Sequence, residues 1–592
     1  VTTEQKLNNQ KTIAYCHVKI SGSPLSSEIM DSIISIEVNQ TLYLPSMFTI
    51  KLYNDDLAWT DNAKLKIGNE VVISMGYVDT IELIKGEITA IELEFSISRL
   101  PVLTIQGYDK LHRLQRGRVT RTFINSKDSD IVSSIAMEKG LTAEASDTSI
   151  VYPYILQNNE SNLEFLQRRA KRIGMELFFQ DGKLYLRKHT QGRKVATLSY
   201  GEDLLSLNAR ISYVANVTDV LVRGWDVKNK QAIVGTATSA TGFSSLTSTN
   251  ESSARSAFDA TTKTAALFSP VTTQSEADKV AEAIFEELSG RIMQVEGSAF
   301  GTPALLPGKC VELAKISTTF SGDYYLTSCN HRYGIEGYVT EFTASGKQAN
   351  TFAEQVGGGE NHWELSRGVV IGIVTNLNDP DNLGRVKIKF PWLPQAQGQD
   401  IESNWARVAM PMAGNNRGFF FMPEVNDEVL VAFEQGDLQY PYIIGALWNG
   451  KDAPPELSQA LSNGVVKQRL IKSKSGHVIT LDESDDKPKI SIVDKTGSNK
   501  IIIDSQNNTI TIESKDKISI TSTTKDIELK AAAGKVTLDA KEIEIKSSTN
   551  TKISATAKME VTGLNLEVKA SASAKIDGGG MTEIKGGLIK LN

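Results

Sequence analysis

Short alternating runs dominate the first half of the chain. ISIEV at 34–38 alternates Ile34, Ile36 and Val38, and VVISM at 71–75 alternates Val71, Ile73 and Met75, the period of strands with one buried face. At 161 the period lengthens. Ser161 with Glu164 three residues on can cap a helix that carries Leu163, Leu166, Ala170 and Ile173 on one face and stops at Gly174. MELFFQDGKLYLRK at 175–188 then holds two apolar runs around Asp181-Gly182, which predicts a tight hairpin because both central residues tolerate positive φ. A second helix is expected at 275–289, with Ser275 and Asp278 as a capping box and Ile284 and Leu288 on one face. The Ser/Thr-rich stretch at about 236–274 reads as a long surface loop, and VGGGEN at 356–361 as a linker. Residues 365–450 are strand-like and dense in Gly and Pro, as in a small Greek-key barrel, and Pro454 and Pro455 close that segment.

The last fifth has a different pattern. Apolar pairs separated by one polar residue recur as Ile510/Ile512, Ile518/Ile520, Ile527/Leu529, Val536/Leu538, Ile543/Ile545, Met559/Val561 and Leu564/Leu566, spaced seven to ten residues apart through Ile545. A weaker Ile553/Ala555 pair fills the gap before Met559, and no aromatic residue follows Trp448. Two or three inward side chains per short strand bury too little for one chain to fold as an isolated prism, and every strand would expose pairing edges. Three identical chains wound about one axis remove both problems by pairing each strand with its neighbours and stacking the aliphatics in a narrow core. At about 4.8 Å per layer, ten or so repeats make a stiff rod of roughly 45–50 Å. An ordinary sandwich or a single-chain solenoid is the alternative, and the missing aromatics argue against the sandwich.

Composition changes this picture little. The 592 residues are 40% hydrophobic and 23% charged, the profile of a foldable multidomain protein. A net charge of −6 disfavours non-specific attraction to nucleic acid or anionic lipid. Apolar stretches such as VVIGIV at 369–374 are far too short for a membrane helix, and VTTEQKLNNQ lacks the basic and apolar regions of a secretory signal, so no stable membrane anchor or signal peptide is expected. Cys16, Cys310 and Cys329 have no metal-ligand spacing and fit reduced thiols.

Candidate chemistry is sparse. HExxH, CxxC, GxSxG and the P-loop pattern are absent, and the histidines at 17, 112, 189, 331, 362 and 477 are scattered, so no catalytic residue, metal site or cofactor is assigned. Arg113, Arg116, Arg118 and Arg121 form one basic cluster, and Arg168, Arg169, Lys171 and Arg172 another. Without an aromatic stacking platform these read as a solvated face or a subunit contact rather than a nucleic-acid site.

Specific motifs give a family resemblance. Asp379-Pro380, Gly384-Arg385-Val386, Phe390-Pro391-Trp392, Trp405-Ala406-Arg407, Ala413-Gly414 and Pro423-Glu424-Val425 follow the order of the oligonucleotide/oligosaccharide-binding (OB) fold domain of VgrG-type spikes. Asn426 stands where that family usually has Gly, and Asn tolerates the left-handed turn. QNNESNLEFLQRRAKRIGMELFFQDGKLYL at 157–186 resembles the helix-hairpin signature of phage tail hubs, GTPALLPGKCVEL at 301–313 resembles the second hub barrel, and 473–494 is similar to the entry into the spike's β-helix.

The resemblance implies a mainly β chain of tandem barrel-like hub domains with short helices, an OB-fold barrel and a C-terminal intertwined trimeric β-helix. The expected divisions are 1–350 for the hub, with two barrel-like subdomains and a helix-hairpin insertion near 126–188, a linker at 351–364, the OB-fold domain at 365–452, a second linker at 453–472 and the triple-stranded spike at 473–592. It further implies a homotrimeric, non-enzymatic central spike of a contractile injection machine, whose paired barrels match a hexameric inner tube and baseplate proteins at the hub. The apolar end formed by Leu588, Ile589 and Leu591 would contact a PAAR-repeat tip protein, with effector cargo carried along. Such a spike would assemble in the bacterial cytoplasm and then join an injected or released particle. A contractile phage tail, or a spike with cell-wall-degrading activity, is the alternative. Since the coil runs to the end of this sequence and 451–472 is short, no space for a catalytic domain is expected.

Overall fold

The computed structural model describes residues 13–189, 194–212, 217–239, 263–266, 270–290, 292–345, 368–393 and 400–591. It divides into two units, Val1–Pro454 and Pro455–Asn592. The expected linkers at 356–361 and 351–364 lie outside the described residues.

The first unit is organised by an eleven-stranded sheet. Its order is Leu204–Ile211, Met293–Phe300, Gly337–Ser345, Ser328–Gly334, Ile33–Thr41, Met47–Tyr53, Arg99–Asp109, Thr80–Ser96, Glu70–Gly76, Tyr15–Ile20 and Ser23–Pro24. Alternation works as the sequence indicates: Val71, Ile73 and Met75 are all buried, as are Ile36 and Val38. Two cores lie on this sheet. One gathers Val18, Ile36, Phe48, Ile73 and Ile105, and the other gathers Leu198, Val295, Val311, Leu313 and Phe342, closed by a small sheet of Lys194–Ser199, Cys310–Ala314 and Gly322–Tyr325. The two barrel-like halves are not separate bodies on a tether. Ser328–Gly334 pairs antiparallel with Ile33–Thr41, with His331 opposite Val38, so one hydrogen-bonded ladder crosses the seam.

His331 sits in that seam with no exposed surface. Its Nε2 lies 2.9 Å from the Leu305 carbonyl, which fixes the proton there, while Nδ1 accepts from the hydroxyls of Tyr338 at 2.8 Å and Thr340 at 3.2 Å. Burial pushes its pKa down to about 4, against a small opposing pull from the Leu305 carbonyl.

The insertion between the halves folds as its local signals require. Helix Asn162–Arg172 has the full capping box: Glu164 N–H donates to Ser161 Oγ at 3.2 Å, and Ser161 N–H donates to the Glu164 carboxylate at 2.8 Å. Strands Met175–Gln180 and Lys183–Lys188 form the hairpin, with Asp181 at φ 49° and Gly182 at φ 76°. Helix Asp128–Glu138 completes this subdomain, burying Ile131, Val132 and Ile135 against Leu163, Phe165 and Leu166.

A second insertion carries helix Gln274–Gly290 over strands Asp219–Asp226 and Gln231–Ala237. Its start differs from the Ser275/Asp278 expectation. Thr273 Oγ1 accepts from Glu276 N–H, and the Glu276 carboxylate accepts from Thr272 N–H, because Thr273 places its hydroxyl one turn ahead of the free amide. The region read as one long loop also contains a strand, Lys263–Ala266, which pairs parallel with Asp219–Asp226.

The OB-fold barrel is a five-stranded sheet in the order Lys387–Lys389, Val370–Asn376, Glu428–Phe433, Pro441–Ala446 and Arg407–Val408. Its core of Val374, Val386, Ile388, Phe390, Val429 and Val431 also takes in Tyr154 and Leu156 from the hub strand Tyr152–Glu160. The barrel is therefore packed on the hub through shared core side chains.

Residues 453–472, in which the second unit begins, are not a plain linker. They hold a short helix, Leu457–Ala460, a small hairpin of Leu461–Ser462 with Val465–Val466, and the strand Gln468–Lys472. That strand opens a five-stranded antiparallel meander with Val478–Asp482, Lys489–Val493, Lys500–Asp504 and Thr509–Glu513. Between 514 and 591 no residue joins a strand within the chain. Among the described residues no helix is long and apolar enough to cross a membrane.

Candidate assembly surfaces

The meander has one apolar face. Register puts Ile471 opposite Ile479, Leu481 opposite Ile490, Ile479 opposite Ile492, Ile490 opposite Ile503, and Ile501 opposite Ile512. Period two sends all of these to the same side, while Leu470, Thr480, Ser491, Ile502 and Thr511 occupy the other. Every side chain of the apolar set, from Ile471 to Ile512, is between 40% and 71% exposed. Together they make one contiguous exposed apolar row rather than singly scattered apolar residues.

Ile510 and Ile512, expected to begin the intertwined coil, instead form the last strand of this intrachain sheet. From Ile518 onward the structure brings none of the predicted core pairs together within the chain. Ile518, Ile520, Ile527, Leu529, Val536, Leu538, Ile543, Ile545, Met559, Val561, Leu564 and Leu566 are all exposed, as are Leu588, Ile589 and Leu591 at the end. The meander residues Ile471 to Ile503 were legible by the same rule, since the pairs at 479/481, 490/492 and 501/503 repeat every eleven residues.

The OB-fold signature residues build the barrel rather than a ligand site. Asp379 accepts the backbone N–H groups of Asp381, Leu383 and Arg385, and pairs twice with the Arg385 guanidinium at 3.0 and 2.6 Å. Pro380 and Gly384, the latter at φ 69°, shape the loop these bonds close. Burial raises the Asp379 carboxyl, but Arg385 and the three amides outweigh it and hold it well below the usual carboxylate range. Arg385 and Lys387 lie over the Trp405 ring, and Arg407 over Tyr442. Phe390 is buried beside the half-exposed Trp392, which follows Pro391. After Pro423, Glu424 donates its N–H to Asp427, and Asn426 adopts φ 76°, the left-handed corner expected of it.

Replacing Asp379 with Ala should therefore lower barrel stability by about 2 kcal/mol, because three amides lose their acceptor and the half-buried Arg385 guanidinium is left with Asp381 alone, at 2.6 Å. Urea unfolding followed by tryptophan fluorescence reads this out. With its folded pKa depressed, Asp379 contributes above about pH 3.9 and the contribution disappears as the pH falls further, so the wild-type and variant midpoints should converge in acid.

Most of these cations are paired within the chain, while Arg116, Arg118 and Lys171 stay exposed, as the solvated-face reading expects. Arg113 pairs with Glu87, Arg118 with the Asn159 carbonyl and Glu164, and Arg121 with Glu138, Gln157 and Asn162. Arg168 pairs with Glu160, Arg169 with Asp128, Lys171 with Glu287 and Arg172 with Glu276. Spacing alone shows cationic side chains but not the carboxylates that folding delivers.

Among the described residues no group of three or more His, Cys, Asp and Glu side chains could hold a metal ion. All three cysteines are buried, and burial pushes the Cys16 thiol up to about 12, far from a reactive thiolate. His189 stacks edge-on against Tyr325, and both contact the buried Glu176.

Comparisons with known proteins follow the same outline. A family model described as the Alg8 N-terminal domain matches residues 10–334, and one described as the type VI secretion system/phage-baseplate injector OB domain matches residues 370–448. The chain is 30% identical over 167 residues to the actin cross-linking toxin VgrG1 of Vibrio cholerae, covering 26% of this chain and 15% of that protein. It is 33% identical over 129 residues to the type VI secretion system spike protein VgrG1b of Pseudomonas aeruginosa, covering 22% and 16% respectively. The match thus spans about a sixth of the length of these curated relatives. A solved Francisella PdpA-VgrG complex, in its lidded form, superposes with a TM-score of 0.51 at 11% identity, covering 86% of this chain and 81% of the solved one, a likeness of fold.

Proposed function

This chain belongs to the family defined by the Alg8 N-terminal domain and, with its injector OB domain, to the VgrG-type spike proteins of contractile injection systems; from that premise we propose that it works as a homotrimeric hub and spike. Its role is mechanical. The hub adapts a hexameric inner tube and baseplate to threefold symmetry, and the coil supplies the point that is driven through a target envelope with its cargo. A PAAR-repeat protein caps the end at Leu588, Ile589 and Leu591, since three chains ending together would leave a small apolar triangle facing water. Assembly takes place in the bacterial cytoplasm before the particle is fired or released. No bond-making step is assigned to any residue.

One observation carries this reading: from Ile471 to Leu591 the second unit presents alternating aliphatics that its own chain leaves uncovered. Identical chains supply the matching surface at no cost in sequence, and interchain strand pairing satisfies the backbone groups that 514–591 leave open. Native mass spectrometry of the purified chain is expected to give a species at three times the 64.7 kDa chain mass. A single-copy species with residues 514–591 protected from hydrogen exchange would overturn the proposal. Clearing of peptidoglycan by the same preparation would replace it with the cell-wall-degrading reading.

A further inference from the structure

We infer that the isoleucine face of strands 468–513 is the surface on which copies of this chain first meet, and that residues 514–591 wind together only after that contact. The inference rests on the three-copy reading above, and it adds where assembly begins and in which direction it runs.

The two parts of the second unit differ in what a lone chain can satisfy. Each meander strand is hydrogen-bonded to the next over five residues, so the three inner strands have their backbone groups paired before any partner arrives and the two outer strands have one edge paired. Between 514 and 591 no such ladder exists within the chain. Ordering those residues in a single copy would cost conformational entropy with nothing gained in return.

The meander is also preorganised for docking. Ile471, Ile479, Leu481, Ile490, Ile492, Ile501, Ile503, Ile510 and Ile512 share one face, and at their exposure they present on the order of 700 Å². That approaches the about 800 Å² per partner of a specific interface. Charge enters this face at its edge, where Arg469 is paired with Glu483, while Lys500 and Glu513 join at 2.9 Å at strand ends. The opposite face is mixed, with Thr480, Ser491 and Thr511 among Leu470 and Ile502, and is the less apolar of the two. A self-similar aliphatic face whose edge charges are paired with each other fits further copies of itself better than a partner of opposite charge. Once three faces have joined, the three coils are tethered at one end, and their pairing becomes a local, high-concentration event that proceeds toward Leu591.

Two full-length variants separate this order from its reverse. Ile490→Lys with Ile492→Lys places six like charges in the joined faces, whereas Ile543→Lys with Ile545→Lys places them in the coil. Native mass spectrometry should show the first variant as a single copy and the second as a trimer whose protease-sensitive region is confined to the coil. The meander substitutions fall on side chains the lone chain leaves exposed, so hydrogen exchange of strands 478–504 should stay protected; Thr511→Lys, on the other face of the same sheet, should remain trimeric. A single-copy coil variant, a trimeric meander variant or a single-copy Thr511→Lys overturns the inference. Loss of strand protection in the meander variant would also overturn it, because the sheet would then depend on partners to form. A wild-type chain that is itself single-copy would instead remove the trimer reading on which all of this stands.

Discussion

Asp128→Ala is expected to destabilise the hub's helical insertion by about 3–5 kcal/mol, the cost of stranding one member of a buried ion pair. Arg169 and Asp128 are both almost fully enclosed, joined through Nε–Oδ1 at 2.6 Å and Nη2–Oδ2 at 3.1 Å, with the Tyr152 ring 4.3 Å from the guanidinium carbon. Arginine stays protonated, so removing its partner leaves a positive charge in a poorly solvated place. One turn further along the same helix, Arg172 reaches Glu276 at 2.7 Å and the Pro270 carbonyl at 2.8 Å and so fastens the first insertion to the second. The measurement is urea unfolding, with hydrogen exchange of residues 162–172 as the local probe. Replacing both partners by apolar residues, as in Asp128→Leu with Arg169→Met, should recover most of the loss, since a buried pair gives back little more than its own desolvation. A loss below about 1 kcal/mol in the single variant would mean that water reaches the pair.

Acid should open the seam between the two hub halves. An unfolded histidine takes up a proton near pH 6.5, whereas folded His331 resists until about 4. Its neutral form therefore contributes fully above about pH 6.5, and that contribution is lost as the pH falls, by about 2 kcal/mol at pH 5 and about 3 kcal/mol at pH 4. Protonation would require the Tyr338 and Thr340 hydroxyls to turn and accept from Nδ1, and the penalty is that of holding a charge away from water. Hydrogen exchange of strand Ser328–Gly334 between pH 7 and 4.5 should show the decline. His331→Gln is expected to be weaker at pH 7 and to lose the acid dependence; an unchanged slope in that variant would assign the effect to another group.

Sequence reading succeeded where a few neighbours decide the outcome. The capping box at Ser161, the Asp181-Gly182 turn and the buried Val71, Ile73 and Met75 each depend on contacts within a few residues or on one period. The recurring aliphatic pairs of the last fifth were equally legible from their spacing, and within the chain they are exposed. It stopped short at the meander, because Ile479 to Ile503 lay in a region read as the spike's entry and were not grouped with the later pairs.

What the sequence determined by itself, then, is the local inventory: strands, caps, turns and a repeat with too little interior for one chain. Only the tertiary structure decided the pairings between distant segments. It joined the two hub halves through Ser328–Gly334 and Ile33–Thr41, sent Tyr154 and Leu156 into the OB-fold core, and gave the arginine clusters their carboxylates. The physical reason is range. Periodicity reports which face of an element is apolar, but which distant face covers it depends on how whole elements pack, and no window of neighbouring residues contains that information.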